Sequence, residues 1–134
     1  MILVDAGPLV AIVDATDQYH HQCAAALRAL EEPMATLWPN VTEAMYHLLD
    51  LPEAQQIVLD MLQRGTLRLL SLGQSDVPRI RELMHQYADL PMDLADAALI
   101  RVAEREGIRT IFTLDRRDFS VYRLHGRIRP HLIP

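Results

Sequence analysis

Acidic residues stand at the ends of two short apolar runs in this sequence. Asp5 directly follows the run 2–4, and Asp115 follows the run 110–114 within the stretch TLDRRDF. Short apolar runs of this kind predict buried strands. In a parallel sheet both acids lie beyond its carboxyl edge, where functional sites form. Glu43, one turn into the helix predicted after another strand, reaches the same edge. Asp93 and Asp96 open the helix before the 110–114 strand and share one face of it.

Carboxylates gathered in this way predict a metal site. They repel one another and lose hydration on burial, which raises their pKa values and costs stability. A hard divalent cation removes the conflict, and ligation by oxygen alone suits Mg²⁺ or Mn²⁺. One or two such ions generate a nucleophile from water and neutralise charge on a phosphodiester. The pattern therefore predicts a hydrolytic nuclease that needs no covalent nucleophile.

Each acid also has a simpler structural interpretation. Asp93 and Asp96 suit the N-terminus of a helix through its dipole, and Asp5 could cap the helix that follows it. Glu43 could be an exposed helix glutamate, and Asp118 resembles a turn or cap residue with a supporting role. The competing hypothesis is therefore a non-catalytic α/β binding or scaffold module whose acids only cap helices.

Strand-like runs alternate with helical segments along the whole chain. Strands are predicted at 2–4, 35–38, 67–72 and 110–114, with a short fifth strand in the tail. Helices are predicted at 7–14, 17–32, 40–51, 52–65, 75–90 and 93–107, with Asp17 and Ser75 as caps. This order predicts βαβ units. The fold class is α/β, a three-layer α/β/α sandwich with a central, mostly parallel sheet of four to five strands. Trp38 is expected in the core or at the lip of the pocket.

Composition limits the class of protein. The chain has 134 residues, 50% of them apolar, which suits one domain over 1–134. No apolar stretch reaches the ~18 residues of a membrane span, and the N-terminus does not resemble a signal peptide. A single cysteine, Cys23, excludes an internal disulfide. These features predict a cytoplasmic protein with no membrane association.

Charge is distributed unevenly. The net charge is −5, but residues 1–100 carry 5 arginines and 14 acids, and residues 101–134 carry 8 arginines and 4 acids. The basic C-terminal quarter permits a phosphate-bearing partner. Other α/β classes fit less well, because no lysine is present for a P-loop or a receiver domain and the five glycines are scattered. A dehalogenase-type phosphatase would need a second Asp at position 7, which is Gly7.

The motifs MILVDAGPLVAIVD, WPNVTEAMYHL and LPMDLADAALIRVAEREGIRTIFTLDRRDF together resemble PIN-domain ribonucleases, specifically the VapC-type toxins of bacterial toxin–antitoxin pairs. The resemblance runs almost from end to end. It implies a PIN-like fold, an endoribonuclease dependent on Mg²⁺ or Mn²⁺, and a small VapB-type antitoxin that inserts a segment into the site. It also implies a homodimer.

The resemblance assigns a role to each acid. Asp5, Glu43, Asp96 and Asp115 match the four family acids, and Asp93 and Asp118 match neighbouring acidic positions. Asp5 and Asp96 would be direct metal ligands. Glu43 and Asp115 would complete a second site or position the water, with Asp93 as a further candidate ligand. Whether one or two ions bind stays open. Many members carry a hydroxyl residue shortly after the first Asp, where this chain has Ala6 and Gly7, and Thr113 is expected to take a supporting part.

Arginines beside the last acid complete the expected site. Arg116 and Arg117 are predicted to meet RNA phosphate, with Arg123, Arg127 and Arg129 as the next candidates. The expected reaction is in-line attack of metal-activated water on an RNA phosphodiester. The same arginines would offer an antitoxin carboxylate a bidentate contact.

Overall fold

The structure, a computed structural model, describes all residues 1–134. The five strands are β1 (Ile2–Val4), β2 (Met34–Thr36), β3 (Leu67–Leu69), β4 (Thr110–Phe112) and β5 (His131–Ile133). The helices are α1 (Ala6–Val13), α2 (His20–Ala29), α3 (Trp38–His47), α4 (Pro52–Arg64), α5 (Val77–Gln86), α6 (Leu94–Glu106) and α7 (Arg116–Phe119). A 3₁₀ turn, Gln74–Asp76, leads into α5.

The strands form one all-parallel sheet in the order β3-β2-β1-β4-β5. In this sheet β1 pairs with both β2 and β4, with Leu3 opposite Ala35 and Ile111. Parallel strands need crossover connections, and the helices supply them. The predicted α/β sandwich is confirmed, and the tail does contribute a fifth strand.

Strand residues divide by alternation between two cores. Leu3, Ala35 and Ile111 face the core shared with α5, α6 and the tail, which includes Phe119 and Tyr122. On the other face Ile2, Val4 and Phe112 pack with α1 and α2. Each strand is three residues long, and the central strands β1, β2 and β4 are fully or largely buried because helices cover both faces, whereas the edge strands β3 and β5 are more exposed. This rigid packing fixes the strand ends that carry the acids.

Several predicted boundaries moved, for local reasons. The helix predicted at 17–32 spans only His20–Ala29, since the Asp17 carboxylate accepts the Tyr19 N–H and closes a turn before the helix begins. The third strand ends at Leu69 instead of residue 72. Ser75 does not cap the next helix; the Asp76 carboxylate accepts the Gly73 N–H and shapes that entry instead. Gly107, at φ 68°, ends α6 and turns the chain into β4.

No helix of the structure is both long enough and apolar enough to cross a lipid bilayer.

Candidate active site

The acids lie where the strand order reverses. From β1 the chain proceeds outward to β2 and β3, and then returns to β4 on the other side of β1. Asp5 and Thr113 therefore leave two adjacent parallel strands at the carboxyl edge, and the Asp5 N–H donates to the Phe112 carbonyl across them. Such a switch point leaves a crevice beyond the strand ends, which is the usual binding position in open α/β sheets.

A cavity of ≈ 370 Å³ opens at this crevice. Its lining contains every acid that the sequence singled out: Asp5, Glu43, Asp93, Asp96, Asp115 and Asp118. These residues come from the loops after β1 and β4, from α3 and from the start of α6. The structure brings all six side chains to one cavity, while their roles as ligands stay predictions.

Asp5 is the innermost acid and is held from three directions. One oxygen, Oδ1, accepts the Ala6 N–H at 2.8 Å and the Asn40 amide at 3.1 Å. The other, Oδ2, accepts the Thr113 hydroxyl at 2.8 Å. Burial raises the pKa of Asp5, the hydrogen bonds oppose that rise, and the nearby Asp93 adds to it. The three donors fix the carboxylate without supplying positive charge.

Thr113 also connects Asp5 to the next acid. Its hydroxyl oxygen accepts the Asp115 N–H at 3.0 Å while donating to Asp5. The two residues that follow Asp5, Ala6 and Gly7, have no hydroxyl side chain. Thr113 therefore supplies the hydroxyl contact to Asp5 from the neighbouring strand, consistent with the supporting part predicted for it.

The pKa of Asp96 is strongly perturbed in the cavity. Burial, followed by the charges of Asp93, Asp5 and Asp115, raises its pKa to about 8. A hydrogen bond from the Tyr122 hydroxyl to Asp96 Oδ2, at 2.8 Å, opposes the rise. Near neutral pH the free protein accordingly holds a proton on this carboxyl group.

Asp96, Asp115 and Asp118 form the tightest part of the cluster. Each offers a carboxylate oxygen, and these oxygens all lie within 4.8 Å of one another. Burial and the charge of Asp115 raise the pKa of Asp118. Asp118, for which only a supporting role was predicted, offers an oxygen as close to Asp96 and Asp115 as these two offer to each other, within 4.8 Å. The oxygen-only donor set fits Mg²⁺ or Mn²⁺.

Some of the acids do cap helices. Asp5 caps α1, Asp93 accepts the Asp96 N–H at the start of α6, and Asp115 accepts the Asp118 N–H at the start of α7. Capping occupies only one oxygen of Asp93 and one of Asp115. It explains nothing about the side chains of Glu43, Asp96 and Asp118, so the scaffold hypothesis accounts for half of the cluster.

Glu43 faces the cavity without a hydrogen bond inside the chain. Burial and the charges of Asp5 and Asp93 raise its pKa, and His47 one turn later lowers it. His47 also lines the cavity. The sequence did not assign this histidine to the site.

Cationic partners are missing from the acid cluster. The seven ion pairs of the structure involve none of the six cavity acids. Arg116 donates to the Pro134 carbonyl, and the exposed guanidinium of Arg117 makes no hydrogen bond within the chain. Arg123 is folded onto the carbonyls of Ser120, Val121 and Tyr122.

Two further arginines lie elsewhere. Arg127 and Arg129 precede β5, so they stand toward the amino edge of the parallel sheet, opposite the cavity. By position, they and the folded-back Arg123 are less well placed than Arg116 and Arg117, which the sequence ranked first as phosphate contacts.

Two neighbours of the acids escaped sequence reasoning. Asn40 is fully buried against Asp5, and its own Oδ1 has no partner. Tyr122 is fully buried against Asp96. Asn40 lies three residues before Glu43, and this helical spacing was the available signal. Nothing local marks Tyr122, because its contact with Asp96 spans 26 positions.

Comparison with known proteins defines the class. The family model for the PIN domain matches residues 2–124, so this chain belongs to the PIN-domain family. It is similar to ribonuclease VapC26 of Mycobacterium tuberculosis, with 29% identity over 99% of this chain and 100% of that protein. The predicted relation to VapC-type ribonucleases is confirmed.

Solved structures share the fold. VapC20 of Mycobacterium tuberculosis, described as a sarcin–ricin loop cleaving toxin, superposes with a TM-score of 0.77 at 18% identity, covering 87% of this chain and 92% of that one. A toxin–antitoxin complex from Klebsiella pneumoniae contains a chain with a TM-score of 0.71 at 20% identity, covering 99% of this chain and 100% of that one.

Proposed function

We propose that this protein is the toxin of a toxin–antitoxin pair, an endoribonuclease that hydrolyses RNA phosphodiesters with Mg²⁺ or Mn²⁺. One observation carries the proposal: six carboxylates from separate segments line one cavity and none of them has a cationic partner. The homology to a VapC ribonuclease supports the same conclusion.

The residues divide the work by position. Asp96, Asp115 and Asp118, with oxygens within 4.8 Å of one another, are the group best placed to hold an ion, together with Asp5. When bound, the metal ion acidifies water and neutralises charge on the phosphodiester. Asp93 keeps one oxygen free of its capping bond and is the further candidate ligand.

The remaining groups handle the substrate and the proton. Glu43, which has no hydrogen bond within the chain and a raised pKa, is free to accept a proton from the attacking water. The exposed Arg117, beside the last acid, can contact a phosphate of the RNA strand, and Arg116 can do so when released from Pro134. Thr113 and Asn40 keep Asp5 oriented throughout.

Partners follow from the relatives. A small VapB-type antitoxin is the expected inhibitor, because a chain of the same fold is found in a toxin–antitoxin complex. A carboxylate-lined cavity without cations would accept an arginine from such a partner. We also propose a homodimer, as the family resemblance implies, and a cytoplasmic location, as the composition predicts.

Cleavage of total RNA tests the proposal. The parent protein should cut RNA with Mg²⁺ or Mn²⁺ and stop when EDTA removes the ion. Asp5→Asn should lower the rate by at least roughly 100-fold, since it removes charge where the metal acts. A matched control is Asp60→Asn, an exposed acid of α4 far from the cavity, which should cut like the parent. Cutting by Asp5→Asn at the parental rate would contradict the proposal.

A further inference from the structure

A second depression adjoins the acid cavity. It encloses ≈ 690 Å³ between α3 and the start of α6, and its lining shares Glu43 and Asp93 with the acid cavity. Trp38 and Tyr46 from α3 and Leu94 from α6 supply its large apolar surfaces. We call this depression the aromatic groove. Anything bound in the acid cavity can extend into it without leaving the protein surface.

The large side chains that line the aromatic groove are exposed to solvent. Trp38 is 56% exposed, Tyr46 70% and Leu94 53%. Neither the Trp38 indole N–H nor the Tyr46 hydroxyl makes a hydrogen bond within the chain, whereas Tyr122 is buried and donates to Asp96. Exposed clusters of large apolar side chains commonly mark binding surfaces.

Charge decides which part of a nucleotide suits the groove. Its only acidic side chains with a carboxylate are Glu43 and Asp93, and no arginine or lysine lines it. A phosphate would be repelled there, while a neutral base would not. Bases stack on aromatic rings, and their N–H groups can donate to carboxylates. The groove therefore favours the base and leaves the phosphodiester to the acid cavity.

We propose that the aromatic groove binds an unpaired nucleobase next to the phosphodiester that is cut, with Trp38 and Tyr46 as its stacking surfaces. This inference rests on the proposed ribonuclease function and adds a subsite for single-stranded RNA to it. A second copy of the chain or an antitoxin segment would bury the same rings, and the experiment separates those occupants from a base.

Trp38 is the only tryptophan of the chain, so its fluorescence reports on this groove alone. The probe is a 2′-O-methyl hexa-adenylate, which resists cleavage, added to the full-length protein with Mg²⁺. A base stacked on the indole should quench the fluorescence. The matched control is an abasic phosphodiester oligomer of equal length and charge, which should leave the fluorescence unchanged. Equal quenching by both oligomers would overturn the proposal.

Binding of a labelled hexa-adenylate, followed by anisotropy, gives the second readout. Trp38→Ala and Tyr46→Ala should each weaken binding about tenfold, as loss of one stacking ring does elsewhere. Ile57→Ala removes a side chain that is 48% exposed on α4, outside the groove, and should bind like the parent. Melting temperatures show whether each variant folds, and Tyr46→Ala keeps the test valid if Trp38→Ala does not.

Parental binding by both aromatic variants would overturn the proposal. If Trp38→Ala also turned a dimer into a monomer with binding intact, the groove would be an interface between copies. Metal-dependent cleavage of total RNA by the parent is measured separately. Cleavage without Trp38 quenching would reject the subsite and leave the ribonuclease standing, whereas absence of both binding and cleavage would reject both.

Discussion

Two of the three acids of helix α6 have pKa shifts in opposite directions. Asp96, in its first turn, faces the acid cavity, where burial and other carboxylates raise its pKa to about 8. Glu104, near its end, receives two hydrogen bonds at 2.9 Å from Arg79. Burial would raise the pKa of Glu104, but Arg79 and the His125 N–H outweigh it and lower the pKa.

A second pair of acids shows the same contrast between side chains of low exposure. Asp5 is 7% exposed and Asp76 1% exposed, so both are buried. The pKa of Asp5 is raised, whereas that of Asp76 is lowered by the Gly73 N–H and by Arg101 and Arg105. The protein supplies arginines to the acids that hold the fold together and withholds them from the cavity. An uncompensated cluster costs stability, and a metal ion would offset that cost.

The largest expected effect is a difference in the free energy of unfolding between variants of the arginine-paired acids and variants of the cavity acids. Asp76→Asn removes the buried charge that pairs with Arg101 and Arg105, although Arg105 keeps its ion pair with Glu106. It should lower the free energy of unfolding by about 2 to 4 kcal/mol, somewhat less than for a fully buried ion pair because the arginines are partly exposed. Asp96→Asn should not destabilise the metal-free protein, because its carboxyl group is already largely protonated near neutral pH. Urea unfolding of both variants with EDTA measures the contrast, and equal destabilisation would break it.

The two groups should also respond oppositely to pH. A group whose pKa is raised in the folded state stabilises the fold below its unfolded pKa, and that stability is lost as pH rises through the folded value. For Asp96 the window runs from its ordinary 3.8 to about 8, with a slope of at most ~1.4 kcal/mol per pH unit.

Asp76 and Glu104, whose pKa values are lowered, contribute stability that is lost as pH falls through their folded values. Thermal melting of the metal-free protein between pH 5 and about 8 should show a decline in melting temperature as the pH rises toward 8. Asp96→Asn should flatten that decline. A parent whose stability rises steadily toward pH 8 would argue against the raised pKa of Asp96.

A smaller effect on metal affinity should follow when the hydrogen bond that orients Asp96 is removed and the charge of the cavity is unchanged. Tyr122→Phe keeps the ring packed against Tyr87 and Phe119 but removes the hydroxyl that donates to Asp96. We expect Mn²⁺ affinity to fall about tenfold, as when partners of metal ligands are lost. Tyr87→Phe, which removes a hydroxyl that accepts the Arg123 N–H instead, is the matched control and should bind Mn²⁺ like the parent. Titration calorimetry distinguishes them.

The smallest effect concerns the arginines that do flank the cavity. Replacing Arg116 and Arg117 with Ala should weaken RNA binding and reduce its salt slope by roughly one to two units, since fewer counterions are released. The melting shift caused by Mn²⁺ should persist, because neither arginine pairs with a cavity acid. If binding and salt dependence match the parent, the phosphate contacts lie elsewhere on the surface.

Sequence predicts the framework of this site well and its detail less well. Short apolar strands ending in Asp5 and Asp115 identify the sheet edge, because parallel topology brings strand ends together whatever the intervening sequence. Tyr122 was missed because its contact with Asp96 spans 26 positions and nothing local encodes it. The contact of Asn40 with Asp5 spans 35 positions, and its only local signal was the helical spacing to Glu43. The close approach of Asp118 to Asp96 was missed for a related reason, because it depends on α7, a four-residue helix that no periodicity signals.

The arginines show the same limit. Composition alone shows that the C-terminal quarter is basic. Which of its arginines face the acids depends on the path of the tail in the fold. Arg123 folds back onto its own turn and Arg129 stands toward the opposite edge of the sheet. The distribution of charge along the sequence therefore indicates a phosphate-bearing partner, but it does not indicate which arginines would contact that partner.

Calorimetric titration of Mn²⁺ tests the central claim most directly, namely that the acids are left without cations in order to hold a metal. The parent should bind Mn²⁺, release protons on binding, and bind more tightly as pH rises toward about 8, since ligation displaces the proton on Asp96. Asp96→Asn should bind more weakly and release fewer protons. No binding at millimolar Mn²⁺, or identical binding by Asp96→Asn, would contradict the account.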